Sequence, residues 1–449
     1  MITPPGEGGI AALRIAGIQS LSYLKKHFKP KTSRVTVFKP FHMHYGYFVN
    51  NKEMVIDEIL SVYMPEGESY TGKNQVEIFC HGGRKVIQLI LDEIIADGAR
   101  VAEPGEFTRL AFIAGRIDLT KAEAVAEIIA ANTDSSFKAV REHLTGAYSE
   151  HINMLRNNIV DITAEIEVSI DFPEERISPA TKGKLDQKIE KIIRQIIELR
   201  ETYKGGKIIN EGFRIVIAGR PNAGKSSLFN LLLNQERALV TSTPGTTRDY
   251  LSEWIELEGY KVNIIDTAGL RHKGGTIEKK GQKSAKKMID RANLLIWITD
   301  ISQRTWERKL STDLKAFSGR ANIMVGNKID LSSNSLRLNQ VLSEKGMIIT
   351  SCKTRKGINN LKEELVKSIN RMMPDLTSGL VVTSARHKQK LNSALKSLKT
   401  ARKKILNDET PELTAFDLRE TINALDEITG KIYNDDILEK IFSKFCIGK

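Results

Sequence analysis

The sequence predicts a multidomain protein of the α/β plus α class: an N-terminal α+β domain, then a discontinuous helical domain with a doubly wound α/β domain inserted into it. Three observations predict this. Between residues 1 and 115, short apolar runs (IAALRIAG, EILSVYMP, QVEIFC) are separated by Gly, Pro and Asn, the pattern of a small strand-rich domain with some helix. Over residues 116–206 and 374–449 the apolar spacing is helical. Between them, over 207–373, the runs RIVIAG, VNIIDTAG, NLLIWITD, NIMVGNKID and MIITSCK alternate with helical stretches.

The first helical part is carried by Leu185, Ile189, Ile192, Ile193, Ile196 and Leu199, which recur at spacings of three and four with Lys, Glu, Gln and Arg between them. Pro173, in the run Asp171-Phe172-Pro173-Glu174-Glu175, breaks this region, because proline cannot continue a helix interior. The second part shows Leu391, Leu395 and Leu398, then Leu418, Ile422 and Leu425. A chain of 449 residues is long enough for roughly three domain-sized units.

Composition narrows the function classes. With 41% hydrophobic and 27% charged residues the chain reads as globular rather than disordered. Its net charge of +13 points to a polyanionic partner such as nucleic acid, or to a generally lysine-rich surface. Three widely separated cysteines (Cys80, Cys352, Cys446) form neither a disulfide framework nor a zinc cluster, which fits a reducing compartment. No apolar run approaches the roughly 20 residues of a membrane span, so no membrane partner is expected. Pro4, Pro5 and the early glycines stand where a signal peptide needs its apolar stretch, and the expected location is the cytoplasm.

The α/β segment carries the most specific chemistry. Gly219-Arg220-Pro221-Asn222-Ala223-Gly224-Lys225-Ser226-Ser227 follows the strand RIVIA and opens the helix SSLFNLLL, the context of a phosphate loop. Backbone N–H groups and the helix N-terminus there favour phosphate. Lys225 is placed to reach the β and γ phosphates, and the Ser226 hydroxyl to ligate Mg²⁺. Asp266-Thr267-Ala268-Gly269 ends the next strand, with Asp266 beside the Mg²⁺ and the Gly269 N–H beside the γ-phosphate. Asn327-Lys328-Ile329-Asp330 ends another; Asp330 can accept both N–H donors of a guanine edge, a pattern adenine lacks. Ser351-Cys352-Lys353 follows MIIT and would close over the base. Four such elements in order, each at a strand's C-terminal end, predict a Ras-like phosphate-loop GTPase domain that binds GTP.

Hydrolysis needs further groups. Gly245-Thr246-Thr247-Arg248-Asp249 lies where a switch segment is expected, and Thr247 can complete the Mg²⁺ shell. The residue after DTAG is Leu270, so the glutamine that orients water in Ras-like proteins is absent and another group must do so.

GRPNAGKSSL, PGTTRD, DTAGLR, NKID and the terminal FCIGK together resemble the bacterial tRNA-modification GTPase family MnmE, also called TrmE. The resemblance covers essentially the whole chain and includes TPPGEGGIAALRIAG, ESYTGKNQVEIFCHGG and EPGEFTRLAFIAGRIDLTKAEA. It implies a K⁺ ion at the arginine-finger position, held by Asn222, by backbone oxygens near Thr241 and Thr243, and by Thr246. It implies that Glu278, twelve residues after Asp266, orients the attacking water; the residues alone also allow a solvated helix-start glutamate. It implies that the N-terminal domain is folate-binding-like, dimerises, and holds a one-carbon (5-formyl or methylene) tetrahydrofolate through Arg14, Glu77, Arg116 and Lys449. The family's opening strand before TPPG is absent or lies upstream of Met1. Lys73-Asn74 replaces an acidic pair common after YTG, and Arg116 replaces a common Lys.

The resemblance also implies a homodimer that works with the FAD-dependent protein MnmG (GidA) on tRNA. The product would be an aminomethyl-type group, such as carboxymethylaminomethyl, at C5 of the wobble uridine. Cys446 is either a thiol assisting that chemistry or a plain exposed thiol. Cys80-His81 resembles a metal dyad, but no third ligand is spaced to join it, and strand-end packing is the expected role. Between Arg386 and Lys404 lie eight Lys or Arg residues and no acid, either an RNA-phosphate face or a solvated helix surface. A ribosome-assembly GTPase gripping rRNA is the alternative function; it predicts a C-terminal GxxG segment, which this helical tail lacks.

Overall fold

The computed structural model describes the chain except residues 5, 32–36, 172–178, 236, 239–250, 268–287, 304, 317–321, 332–345, 374–379 and 449. It divides into two compact units, one formed by residues 1–129, 143–192 and 393–449, the other by 130–142 and 193–392.

The first unit begins with a five-stranded antiparallel sheet: β1 (Gly8–Ala16), β2 (Phe28–Pro30), β3 (His44–Val49), β4 (Val55–Met64) and β5 (Gln75–Gly82), in the order β1-β5-β4-β3-β2. Alternation along the strands turns Phe48, Ile59, Val76, Ile78 and Cys80 inward, where they meet Leu24 and the helix residues Ile90 and Ile94. The helical remainder pairs Ala147–Asp171 with Pro411–Thr429. Ile152, Leu155, Ile159, Ile162 and Ile166 form the buried stripe of the former. Pro411 opens and Gly430 closes the latter, each where its backbone preference fits a helix end. The last helix, Asp435–Phe442, is capped by the Asn434 side chain, which accepts from Ile437 N at 2.9 Å. Its Leu438, Ile441 and Phe442, with Phe445, pack on Phe112 and Leu119.

The second unit holds a seven-stranded sheet: β6 (Phe213–Gly219), β7 (Arg237–Ala238), β8 (Leu251–Leu257), β9 (Tyr260–Asp266), β10 (Leu294–Asp300), β11 (Ile323–Asn327) and β12 (Met347–Ile349), ordered β12-β11-β10-β6-β9-β8-β7. The five strands from β12 to β9 are parallel, and β8 and β7 continue antiparallel. Ile215 and Ile217 point to one face, towards the helices Lys225–Gln235 and Ile358–Met372; Val216 and Ala218 point to the other, towards Trp306–Ala316. Burial on both faces explains why β6 and β10 read as continuous apolar runs. The predicted fold class holds. The sequence reading missed β2, β3, β7 and β8, which are short or at positions where polar residues dilute the apolar signal.

Candidate functional site

The C-terminal ends of the parallel strands converge on one rim of the second unit. β6 delivers the phosphate loop, with Asn222 in the left-handed region (φ 62°), a conformation asparagine tolerates. Gly224 is also left-handed (φ 103°), and a Cβ there would overlap Asn327 Nδ2. Only glycine leaves room for that contact, through which Asn327 Nδ2 donates to Ala223 O at 2.9 Å. β11 is thereby tied to the phosphate loop.

Lys225 is 9% exposed and its ammonium donates to Arg220 O at 2.9 Å, closing the loop on itself. Ser226 donates its hydroxyl to Asp266 Oδ2 at 2.7 Å. Asp266 is fully buried, so this hydroxyl and carboxylate form a hard-oxygen pair suited to a divalent cation. Thr267 donates to Ile217 O at 3.0 Å and anchors the chain just past the end of β9. Ser227 is exposed one residue further along the helix.

Further along the rim, Asn327 Oδ1 accepts from Cys352 N at 3.1 Å, which joins NKID to SCK. The Asp330 carboxylate is exposed, and Ser351 donates to its Oδ1 at 2.6 Å. That bond steadies an exposed carboxylate that can still accept N–H donors from a ligand. Lys328 pairs with Asp300 at 2.7 Å. Burial pushes the Asp300 carboxyl up, but bonds from Lys328 and Ser302 outweigh it and hold the carboxyl below its ordinary range. Burial pushes the Cys352 thiol up to about 11, so it stays protonated at neutral pH and acts here through its backbone. Lys353 is exposed beside it.

Two residues of this rim escaped the sequence reading. Asp300 ends NLLIWITD, and a carboxylate closing a buried strand was a usable signal. Asp313 grips Arg220 with bonds of 2.8 to 3.0 Å and so keeps the phosphate-loop guanidinium engaged with a helix; no local pattern announces that pair. Thr241, Thr243, Thr246, Thr247, Ala268, Gly269 and Glu278 lie outside the described residues.

In the first unit, antiparallel register places Arg14 opposite Glu77. The guanidinium donates to Glu77 Oε1 at 2.8 and 3.0 Å and lies 5.2 and 5.5 Å from the rings of Tyr70 and Phe107. Gln75 donates to the same carboxylate oxygen at 3.1 Å. Arg14 also lines a cavity of about 510 Å³, shared with Tyr23, Arg100, Glu106 and Ile447. Arg116 instead donates to the carbonyls of Gly67 (2.8 Å) and Glu68 (3.5 Å). Lys449 lies outside the described residues, while Ile447 bridges to Pro104 and Cys446 is exposed. Cys80 is buried, its thiol pushed up to about 11 chiefly by that burial, and His81 pairs with Asp57 at 2.7 Å. Among the described residues no group of three or more His, Cys, Asp or Glu is gathered to hold a metal.

The basic helix is Ala385–Leu406. Its charge is less available than the sequence suggests. Arg402 bonds to Asp186 (2.6 Å) and Glu190 (2.9 Å), and Lys404 pairs with Asp417 (2.7 Å). Lys396, Lys399 and Lys403 remain exposed. Among the described residues no helix is long and apolar enough to cross a membrane.

Comparison with known proteins agrees along the whole chain. Residues 1–116 match the family model of the GTP-binding protein TrmE N-terminus, and residues 119–446 match that of the MnmE helical domain. The tRNA modification GTPase MnmE of Aquifex aeolicus is 38% identical over 448 residues, covering 100% of this chain and 98% of the relative. That of Carboxydothermus hydrogenoformans is 38% identical over 452 residues with the same coverage. That of Protochlamydia amoebophila is 36% identical over 447 residues, 100% of this chain and 96% of the relative.

Proposed function

The chain belongs to the MnmE (TrmE) family of tRNA modification GTPases, and on that premise we propose that it couples K⁺-stimulated GTP hydrolysis to modification of C5 of the wobble uridine of certain tRNAs. The group added is of the aminomethyl type, carboxymethylaminomethyl among them. The working assembly is a homodimer joined by the FAD-dependent partner MnmG, with tRNA as substrate. The observation that carries the reading is the match at 38% identity across 100% of the chain to a relative named a tRNA modification GTPase.

The residues support the GTPase part in a definite order. Lys225 exchanges Arg220 O for phosphate oxygens, and the loop's N–H groups close on the same anion. Ser226 and Asp266 already lie 2.7 Å apart, and with Thr247 they would hold Mg²⁺. Asn222, with Thr241, Thr243 and Thr246, would hold K⁺. When bound, the two cations supply positive charge where the β–γ bridge develops negative charge. Glu278 would orient the attacking water in place of the missing glutamine. Asp330, steadied by Ser351, would read guanine.

For the tetrahydrofolate, which supplies the one-carbon unit, the residues fit in part. The Arg14–Glu77 pair beside a roomy cavity suits a pterin edge, whereas Arg116 already satisfies backbone carbonyls and must turn to join them. Cys446, exposed on the same tail as Ile447, is accessible to that chemistry. Mass analysis of wobble uridines from a strain lacking this protein tests the proposal. The expected result is loss of the C5 substituent, restored by the native chain; uridines unchanged by the deletion refute it.

A further inference from the structure

The seven-stranded sheet carries a second concavity at its other end. The phosphate loop follows the last residue of β6, but a cavity of about 540 Å³ opens beside its first residues. A seven-residue strand spans roughly 20 Å, so the two places are a strand's length apart. Lys204, Lys207, Arg214, Arg291, Arg371 and Lys388 line the cavity, with Glu211 the one carboxylate among its described lining residues.

Local structure gathers these cations. The helix Tyr203–Glu211 ends at Gly212, whose φ of 88° turns the chain sharply into β6; a Cβ there would overlap the Trp254 ring. Asn293 Oδ1 accepts from Arg214 N at 2.8 Å, and Asn293 N donates to Arg214 O at 2.9 Å, so the approach to β10 is pinned to the start of β6. Lys388 lies 4.6 Å from the centroid of the Tyr203 ring. Part of this charge is already answered: Lys207 is 3.8 Å from Glu211 and Arg371 is 3.4 Å from Glu364, exposed pairs of small worth, and the Glu201 carboxyl, held below its ordinary range chiefly by its bond from Arg200, also feels Lys204 and Lys388. Six lining cations outnumber these acids, and a bound polyanion relieves the repulsion among them.

We propose that this cavity docks the phosphodiester backbone of an RNA strand; the proposal rests on the tRNA-modification reading above. Lys204, Lys207, Arg291 and Arg371 are exposed at the mouth rather than buried around a captured ligand, which suits a strand passing over it. The partly exposed Tyr203 ring adds a surface on which a base can stack.

The test compares the native full-length chain with the Lys207→Glu/Arg291→Glu/Arg371→Glu variant, using an unmodified tRNA transcript across a salt series. The variant is expected to lose at least about tenfold in tRNA affinity, with the slope of log affinity against log salt flattened by about 2 to 3. GTP affinity and RNA-free GTP turnover stay unchanged, because the nucleotide site lies at the far end of β6. The Gln triple variant, which removes charge without reversing it, shows a smaller loss in the same direction and guards against misfolding of the Glu variant. Unchanged tRNA affinity and slope in a variant of native melting temperature overturn the proposal alone. A native chain that fails to bind tRNA overturns it together with the tRNA reading. Loss of tripolyphosphate binding by calorimetry with tRNA affinity intact assigns the cavity to a small free anion, and also overturns it.

Discussion

A methyl group added at Gly224 would overlap the Asn327 amide that donates to Ala223 O at 2.9 Å, and it would sit at a φ of 103° that L side chains rarely adopt. Strain of this kind costs about 1–3 kcal/mol, and here it falls on the loop meant to close around phosphate. Gly224→Ala is therefore expected to weaken GTP binding at least tenfold and to lower the melting temperature, measured with a fluorescent GTP analogue and by thermal unfolding. Wild-type affinity in this variant would show that the Asn327–Ala223 contact does not shape the loop. The position was legible, since GRPNAGKS is a local pattern whose glycines have fixed jobs. Asp313 was not, because nothing within WERKLSTDLKA marks one aspartate for an arginine 93 residues away. The charge of Arg116 suggests a ligand contact, and its geometry sends it to the carbonyls of Gly67 and Glu68 instead.

Among elements, the helix Pro179–Glu201 was predicted from its apolar stripe, and Leu185, Ile189, Ile192, Ile193, Ile196 and Leu199 are all buried. Periodicity reports the face a helix hides but not the partners of its charges. Asp186 and Glu190 on that helix meet Arg402 on Ala385–Leu406, so a side chain that the sequence allows as either an RNA contact or a solvated charge is a helix–helix tie. The Arg402 guanidinium holds the Asp186 carboxyl below its ordinary range. A depressed carboxyl stabilises the fold above its unfolded value, near 3.9, and loses that contribution as pH falls through the lower folded value. Asp186→Asn should thus cost about 0.5–1 kcal/mol at neutral pH, the worth of a well-formed partly exposed pair. The gap between variant and native chain should close on acidification below about pH 4. Denaturant melts at neutral and acidic pH check this, and a difference that persists at low pH would mean the pair is not what Asp186 contributes.

At the scale of the molecule, the net charge of +13 raises the question of whether RNA is drawn by a diffuse field or held by a defined face. A diffuse field is screened beyond about 8–10 Å at physiological ionic strength, so only cations near a phosphate add much to binding in the cell. Lys396, Lys399 and Lys403 are exposed along one helix, whereas Arg402 and Lys404 beside them are spent on acids. Reversing Lys396, Lys399 and Lys403 to Glu takes the net charge to +7; so does reversing Lys25, Lys52 and Lys85, exposed lysines of the N-terminal segment. If the helix grips phosphate, the first triple variant should lose about tenfold or more in tRNA affinity and flatten the salt slope by up to about 3, while the second changes little at physiological salt. Among the described residues neither set ties elements together, so both variants should keep the native melting temperature. Equal losses from the two, converging with the native chain as salt rises, would assign RNA attraction to total charge and remove this helix from the docking surface.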